Sequence, residues 1–148
     1  MSNESINYFI KEFECRKGGY SHAKTHIRYH IIFVTKYRRK CLNQIRDDVF
    51  DAFRECEKNS HIRILNMSID KDHVHLLVTF PPMFSIGQTV RRLKQYTTKY
   101  LYDNNKEYLR NFYCKKKRLL WTHGYYCSTL GKISEDIVWN YIDNQGLK

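Results

Sequence analysis

The chain has 148 residues, enough to bury one core but too few for two independent domains, and it shows neither a run of 18 apolar residues nor a signal-like N-terminal segment, which excludes a membrane protein of the helical kind. Lysine and arginine number 26 against 15 acidic residues, a formal charge of +11 that calls for a polyanionic partner; with 12 tyrosines this suits nucleic acid, whose bases stack on rings, as well as a basic protein whose tyrosines fill a sheet core. Cys15, Cys41, Cys56, Cys114 and Cys127 are odd in number and form no CxxC pair, so we expect a reduced, soluble, cytoplasmic protein and not a disulfide scaffold.

Residues 1–24 are polar without a sustained period and read as an N-terminal arm, followed by a single domain over 25–148. Over residues 25–35, Ile27, Tyr29, Ile31 and Phe33 alternate with His26, Arg28 and His30, the period of a strand. Ile45, Val49, Ala52, Phe53 and Cys56 then recur at helical spacing over 43–59. A second strand is expected over 61–71 and a third over 72–80, with Val74, Leu76, Val78 and Phe80 on one face and Pro81-Pro82 as its stop. Ser85 and Gln88 form a capping box that opens a helix burying Ile86, Val90, Leu93, Thr97, Tyr100 and Leu101, with Arg91, Arg92, Lys94 and Lys99 on its outer face. Residues 103–118 read as a loop, and 119–130 as a fourth strand despite Gly124. Gly131 breaks the chain, and Ser134 with Glu135 and Asp136 starts a short last helix carrying Ile137, Val138, Tyr141, Ile142 and Gln145. The order β-α-β-β-α-β plus a C-terminal helix predicts an α+β, ferredoxin-like fold: one antiparallel sheet with both main helices on one face and the other face free for a ligand or partner.

Chemistry concentrates at Asp72-His73-Val74-His75. Residues two apart on a strand share a face with Cα atoms roughly 6.5 Å apart, so His73 and His75 can hold one metal ion. Alone, the pair suits two solvated histidines equally well, and a third ligand must come from elsewhere. Tyr141 and Gln145 lie four apart on the last helix, where a glutamine carbonyl could reach a metal while a phenol approaches a phosphate. A tyrosine so spaced beside Val138 and Ile142 also reads as a core residue. A phenol with a pKa of about 10 needs electrophilic help to attack a phosphate, and neutral His and Gln ligands would leave a divalent ion's charge free to give it. Lys36, Arg38 and Arg39 at the end of the first strand, and Arg91, Arg92 and Lys94 on the helix, could each neutralise the phosphates of a nucleic acid; the basic run at 115–118 reads as a solvated face. His26 and His30, four apart on a strand, are too distant for a second metal pair and read as surface or sheet residues.

These residues resemble the single-tyrosine transposases of the HUH nuclease superfamily, named for a His-hydrophobic-His motif. The likeness runs from Tyr29-His30-Ile31-Ile32 and Lys36-Tyr37-Arg38-Arg39 through Asp72-His73-Val74-His75-Leu76-Leu77, Pro81-Pro82 and Arg92-Leu93-Lys94. It continues with Trp121, Gly124-Tyr125-Tyr126, Thr129 and Gly131, and ends on Tyr141-Ile142-Asp143-Asn144-Gln145. The resemblance implies that His73, His75 and Gln145 bind Mg²⁺ or Mn²⁺ and that Tyr141 attacks single-stranded DNA, giving a 5′-phosphotyrosine and a free 3′-OH. It further implies a homodimer acting on hairpins near insertion-sequence ends, with active sites shared between subunits and Gly131, followed here by Lys132, as the hinge of the tyrosine helix. Two alternatives are an RNA-binding module of the same β-α-β-β-α-β plan and a related repeat-associated or replication-initiating HUH nuclease. The first needs aromatics on the open sheet face, where the third strand here presents His73 and His75.

Overall fold

The alternating segment near the start of the domain forms strand β1 (Tyr29–Val34) in the computed structural model, which describes residues 27–129 and 135–145. Helix α1 (Arg46–Lys58), strands β2 (Arg63–Ile69) and β3 (His73–Thr79), helix α2 (Ile86–Leu109), strand β4 (Tyr126–Ser128) and helix α3 (Glu135–Gln145) follow. The strands make one antiparallel sheet in the order β2-β3-β1-β4, the ferredoxin-like arrangement expected. The arm at 1–24, His26 and Gly131 lie outside the described residues.

Register explains the layers. Phe33 pairs with Val74 and Ile31 with Leu76, so these side chains share one face, where they meet Val49 and Phe53 of α1 and Val90 and Leu93 of α2. Ile31, Phe33, Phe53, Val74, Leu76 and Leu93 are fully buried, each contributing about 1.5–3 kcal/mol relative to exposure. Ile32 and Val34 point to the other face yet are equally buried, because Ile142 of α3 lies on them. β1 is therefore covered on both sides, α1 and α2 above and α3 below. The capping box forms as expected: the Gln88 N–H donates to the Ser85 hydroxyl at 3.0 Å, and the Ser85 N–H donates to Gln88 Oε1 at 2.9 Å.

Two expectations fail. α2 continues to Leu109, through a stretch expected to be loop, because Leu101, Tyr102 and Leu109 are buried on its inner side. It bends at Asn105, whose φ of −137° leaves the helical region and whose Nδ2 donates to Asp48 Oδ2 at 2.9 Å. The fourth strand is only Tyr126–Ser128, with Trp121 making one isolated bridge to Thr35. Between them the carbonyls of Thr122, His123 and Gly124 leave the sheet and accept from Lys94 Nζ at 2.7, 3.1 and 2.9 Å. Lys94 thus turns inward instead of lining the outer face of α2.

Cys41, Cys56, Cys114 and Cys127 are free thiols; burial pushes those of Cys41 and Cys56 up to about 11, which keeps them protonated and unreactive. Among the described residues no helix is long and apolar enough to cross a membrane.

Candidate active site

β3 presents its two histidines to the sheet face opposite α1 and α2. His73 pairs across the sheet with Val34 and His75 with Ile32, so both imidazoles share the face on which α3 docks. His30, one pleat along β1, is also there, its ring centroid 5.6 Å from that of His75. That neighbour was invisible without the register.

Asp72 orients the first histidine. His73 Nδ1 lies 3.0 Å from Asp72 Oδ1. Burial acts to raise the Asp72 pKa, but hydrogen bonds from His73 and Arg38, with their charges, bring it below the usual carboxylate value. An ionised carboxylate only accepts, so His73 Nδ1 is the donor to Asp72, and Nε2 is the ring nitrogen that Asp72 leaves unengaged. Burial, with His30 and His73 nearby, lowers the His75 pKa, which keeps that ring neutral. Two imidazoles on one face, one braced by a carboxylate, have the donor types of a metal site with its supporting shell.

The helix α3 brings the nucleophile candidate to the same face. Ile142 is fully buried against Ile32 and Val34, Tyr141 packs on Tyr126 with ring centroids 5.9 Å apart, and Trp139 sets its ring edge-on to His73 at 6.2 Å. The Tyr141 hydroxyl is buried with no hydrogen-bond partner among the described residues, and burial pushes its pKa up to about 12. Gln145 ends α3 one turn beyond Tyr141; its side chain lies outside the described residues.

The basic residues divide by position. Lys36 and Arg39 flank the exposed ring of Tyr37, their charges 5.3 and 5.8 Å from its centroid. Arg38 points inward to two carboxylates, with Nε 3.2 Å from Asp72 Oδ2 and Nη1 2.7 Å from Asp143 Oδ1. Arg91 and Arg92 are exposed on α2, across the sheet from the histidines, and Arg92 donates to the Asn59 carbonyl at 2.8 Å. Lys94 lies over the rings of Phe33 and Tyr125, and burial lowers its pKa to about 8. The fold brings the expected His pair and Tyr141 to one face, adds Asp143 and Trp139, which sequence reasoning did not single out, and turns Arg38 and Lys94 inward. A partner 105 residues away leaves no local signal.

Comparison with known proteins bears on the family and the fold. The family model described as "Transposase IS200 like" matches residues 23–145. The chain is 30% identical over 126 residues to the transposase for insertion sequence element IS200 of Salmonella typhimurium, covering 84% of this chain and 80% of that protein. It is 32% identical over 91 residues to the ISDra2 transposase TnpA of Deinococcus radiodurans, 60% of this chain and 63% of that one. Among solved structures, a candidate transposase from Deinococcus radiodurans superposes with a TM-score of 0.73 at 22% identity, over 86% of this chain and 97% of that chain. A REP-associated tyrosine transposase bound to a REP hairpin superposes with a TM-score of 0.51 at 12% identity, over 83% and 68%. Both structural likenesses share the fold described above. With its family model matched across nearly the whole described domain, the chain belongs to the IS200-like transposase family.

Proposed function

We propose that residues 25–148 form a transposase domain that cuts and rejoins single-stranded DNA, with Tyr141 as nucleophile and His73, His75 and Gln145 as ligands of Mg²⁺ or Mn²⁺. One observation carries this reading: the tyrosine helix docks on the face of the His pair with the Tyr141 hydroxyl buried and unpartnered among the described residues. Buried tyrosines ordinarily find a partner for the hydroxyl, so an orphan phenol on this face suits an incoming phosphodiester. The Nε2 of His73, which Asp72 does not engage, and the neutral ring of His75 suit a divalent ion. Such an ion, when bound, supplies positive charge to the non-bridging oxygens of the scissile phosphate.

The chain's own residues do the rest. With its pKa near 12, the Tyr141 phenol keeps its proton until DNA arrives. Its oxygen then bonds to phosphorus and gives up its proton, while the P–O3′ bond breaks and the departing oxygen takes a proton to become a 3′-OH. A 5′-phosphotyrosine remains, and attack by another strand's 3′-OH reverses the step without an outside energy source. Lys36 and Arg39 beside the exposed Tyr37 ring suit a strand whose phosphates meet cations while a base meets the ring. Arg91 and Arg92 would serve DNA farther away. The REP-associated relative is bound to a hairpin, and hairpins near element ends are the substrate we propose here.

The arrangement described has α3 on its own chain's sheet. In a homodimer that exchanges these helices the same contacts would form between subunits. Mixing Tyr141→Phe with His73→Ala protomers tests that: restored cleavage means shared sites.

The direct test is a single-stranded oligonucleotide carrying the element end, incubated with Mg²⁺. Wild type should become covalently attached, and Tyr141→Phe and His73→Ala should not. Tight RNA binding with no cutting would favour the RNA-binding module instead.

A further inference from the structure

The turn that ends β1 is strained. Tyr37 and Arg38 both have positive φ, 59° and 51°, a region that residues with a Cβ avoid. Such strain persists only where the surroundings over-determine it, and here they do. The Thr35 hydroxyl lies 2.8 Å from the Arg39 carbonyl and 3.1 Å from that of Asp72, the Lys36 N–H donates to Leu120 at 2.7 Å, and the Tyr113 hydroxyl donates to the Lys36 carbonyl at 3.0 Å.

The product of the strain is the position of Arg38. Its guanidinium bridges Asp72, at 3.2 Å, and Asp143, at 2.7 Å. Asp72 holds His73 Nδ1 at 3.0 Å with its other oxygen, and Asp143 stands two residues past Tyr141 on α3. His73, Asp72, Arg38 and Asp143 thus form one continuous line from the His motif to the tyrosine helix.

We infer that Arg38 is a positioning residue that ties the orientation of His73 to the seating of the tyrosine helix; the inference rests on reading His73 as a metal ligand. The planar fork of arginine serves two carboxylates at once, which a lysine ammonium does not reproduce. The Asp72 end is firm, its side chain only 9% exposed, whereas Asp143 is 61% exposed and its ion pair is weak. The helix is therefore seated reversibly, and the coupling runs both ways: seating α3 steadies Arg38, Asp72 and His73, and loading His73 steadies α3.

The test uses Mn²⁺ alone, its binding followed by the loss of the free-ion paramagnetic resonance signal, and amide exchange across residues 135–145 of the full chain. Simple electrostatics predicts that Arg38→Gln, by removing a positive charge near the site, binds Mn²⁺ more tightly. Positioning predicts the opposite sign: affinity falls about tenfold, the low end for loss of an outer-shell partner. α3 exchange should also quicken by about threefold, the size of an exposed ion pair. Arg38→Lys, which keeps the charge, should lose Mn²⁺ affinity too, and Asp143→Asn should quicken α3 exchange in wild type but add nothing in Arg38→Gln. Unchanged or tighter Mn²⁺ binding in Arg38→Gln, or wild-type exchange of α3, overturns the inference. If His73→Ala binds Mn²⁺ as well as wild type, it is the metal reading that fails, and α3 exchange then judges Arg38 by itself.

Discussion

Replacing Tyr141 by phenylalanine should seat the tyrosine helix more firmly while removing the proposed nucleophile. The hydroxyl is buried without a partner among the described residues, and a hydroxyl in that state costs about 1–3 kcal/mol by mutational measure. The ring's packing on Tyr126 is unaffected by losing one oxygen. Tyr141 as a residue is partly exposed, so the low end applies: a gain of about 1 kcal/mol, or roughly fivefold. α3 can open without the sheet melting, so the gain is read as slower amide exchange across 135–145 in DNA-free protein. Alkaline titration gives a second reading. The folded-state pKa of about 12 exceeds the usual 10, so the folded chain holds this proton more tightly. The resulting stability is complete below pH 10 and lost as pH rises from 10 to 12; other buried phenols and thiols titrate upward too, so the decline should be shallower in Tyr141→Phe and not absent. Faster α3 exchange in the variant would refute the reasoning, because the hydroxyl would then have a structural partner and Tyr141 would be an ordinary packing residue.

Lys94→Met should lower stability to urea by about 1–3 kcal/mol, since three carbonyls lose their donor, while the salt dependence of DNA affinity stays at the wild-type slope. A shallower slope would return Lys94 to the DNA surface. Tyr37→Ala should weaken single-stranded DNA binding by roughly 5- to 100-fold and Tyr37→Trp should preserve it; equal affinity for all three proteins would remove the stacking role. Ile142→Ala should cost about 2–4 kcal/mol of helix docking, seen as lost exchange protection in α3, and unchanged protection would mean that α3 does not rest on Ile32 and Val34.

Strongly periodic elements were readable from the sequence because burial imposes their period directly. β1, β3 and the start of α2 follow from Ile31 and Phe33, from Val74, Leu76 and Val78, and from the Ser85–Gln88 box. The second half of α2 was not readable: its Asp103, Asn104, Asn105 and Lys106 look like loop, and only the burial of Tyr102 and Leu109 keeps the helix going. β4 was overestimated for the converse reason. Residues 119–130 have strand composition, yet Lys94 draws three of their carbonyls out of the sheet. At the site, the spacing of His73 and His75 was enough to put them on one face, and register alone added His30. The Arg38 bridge joins residues 34 and 105 positions apart, and a basic cluster in sequence gives no sign of which member turns inward.

On the function we propose, Tyr141 forms a covalent bond to DNA. Mass spectrometry of the proteolysed adduct, after incubation of the wild-type chain with Mg²⁺ and a single-stranded hairpin oligonucleotide, tests it most directly. A nucleotide 5′-phosphate on the peptide that contains Tyr141 is the expected result. Cleavage with no protein-bound nucleotide, or a nucleotide carried by any other residue, would contradict it.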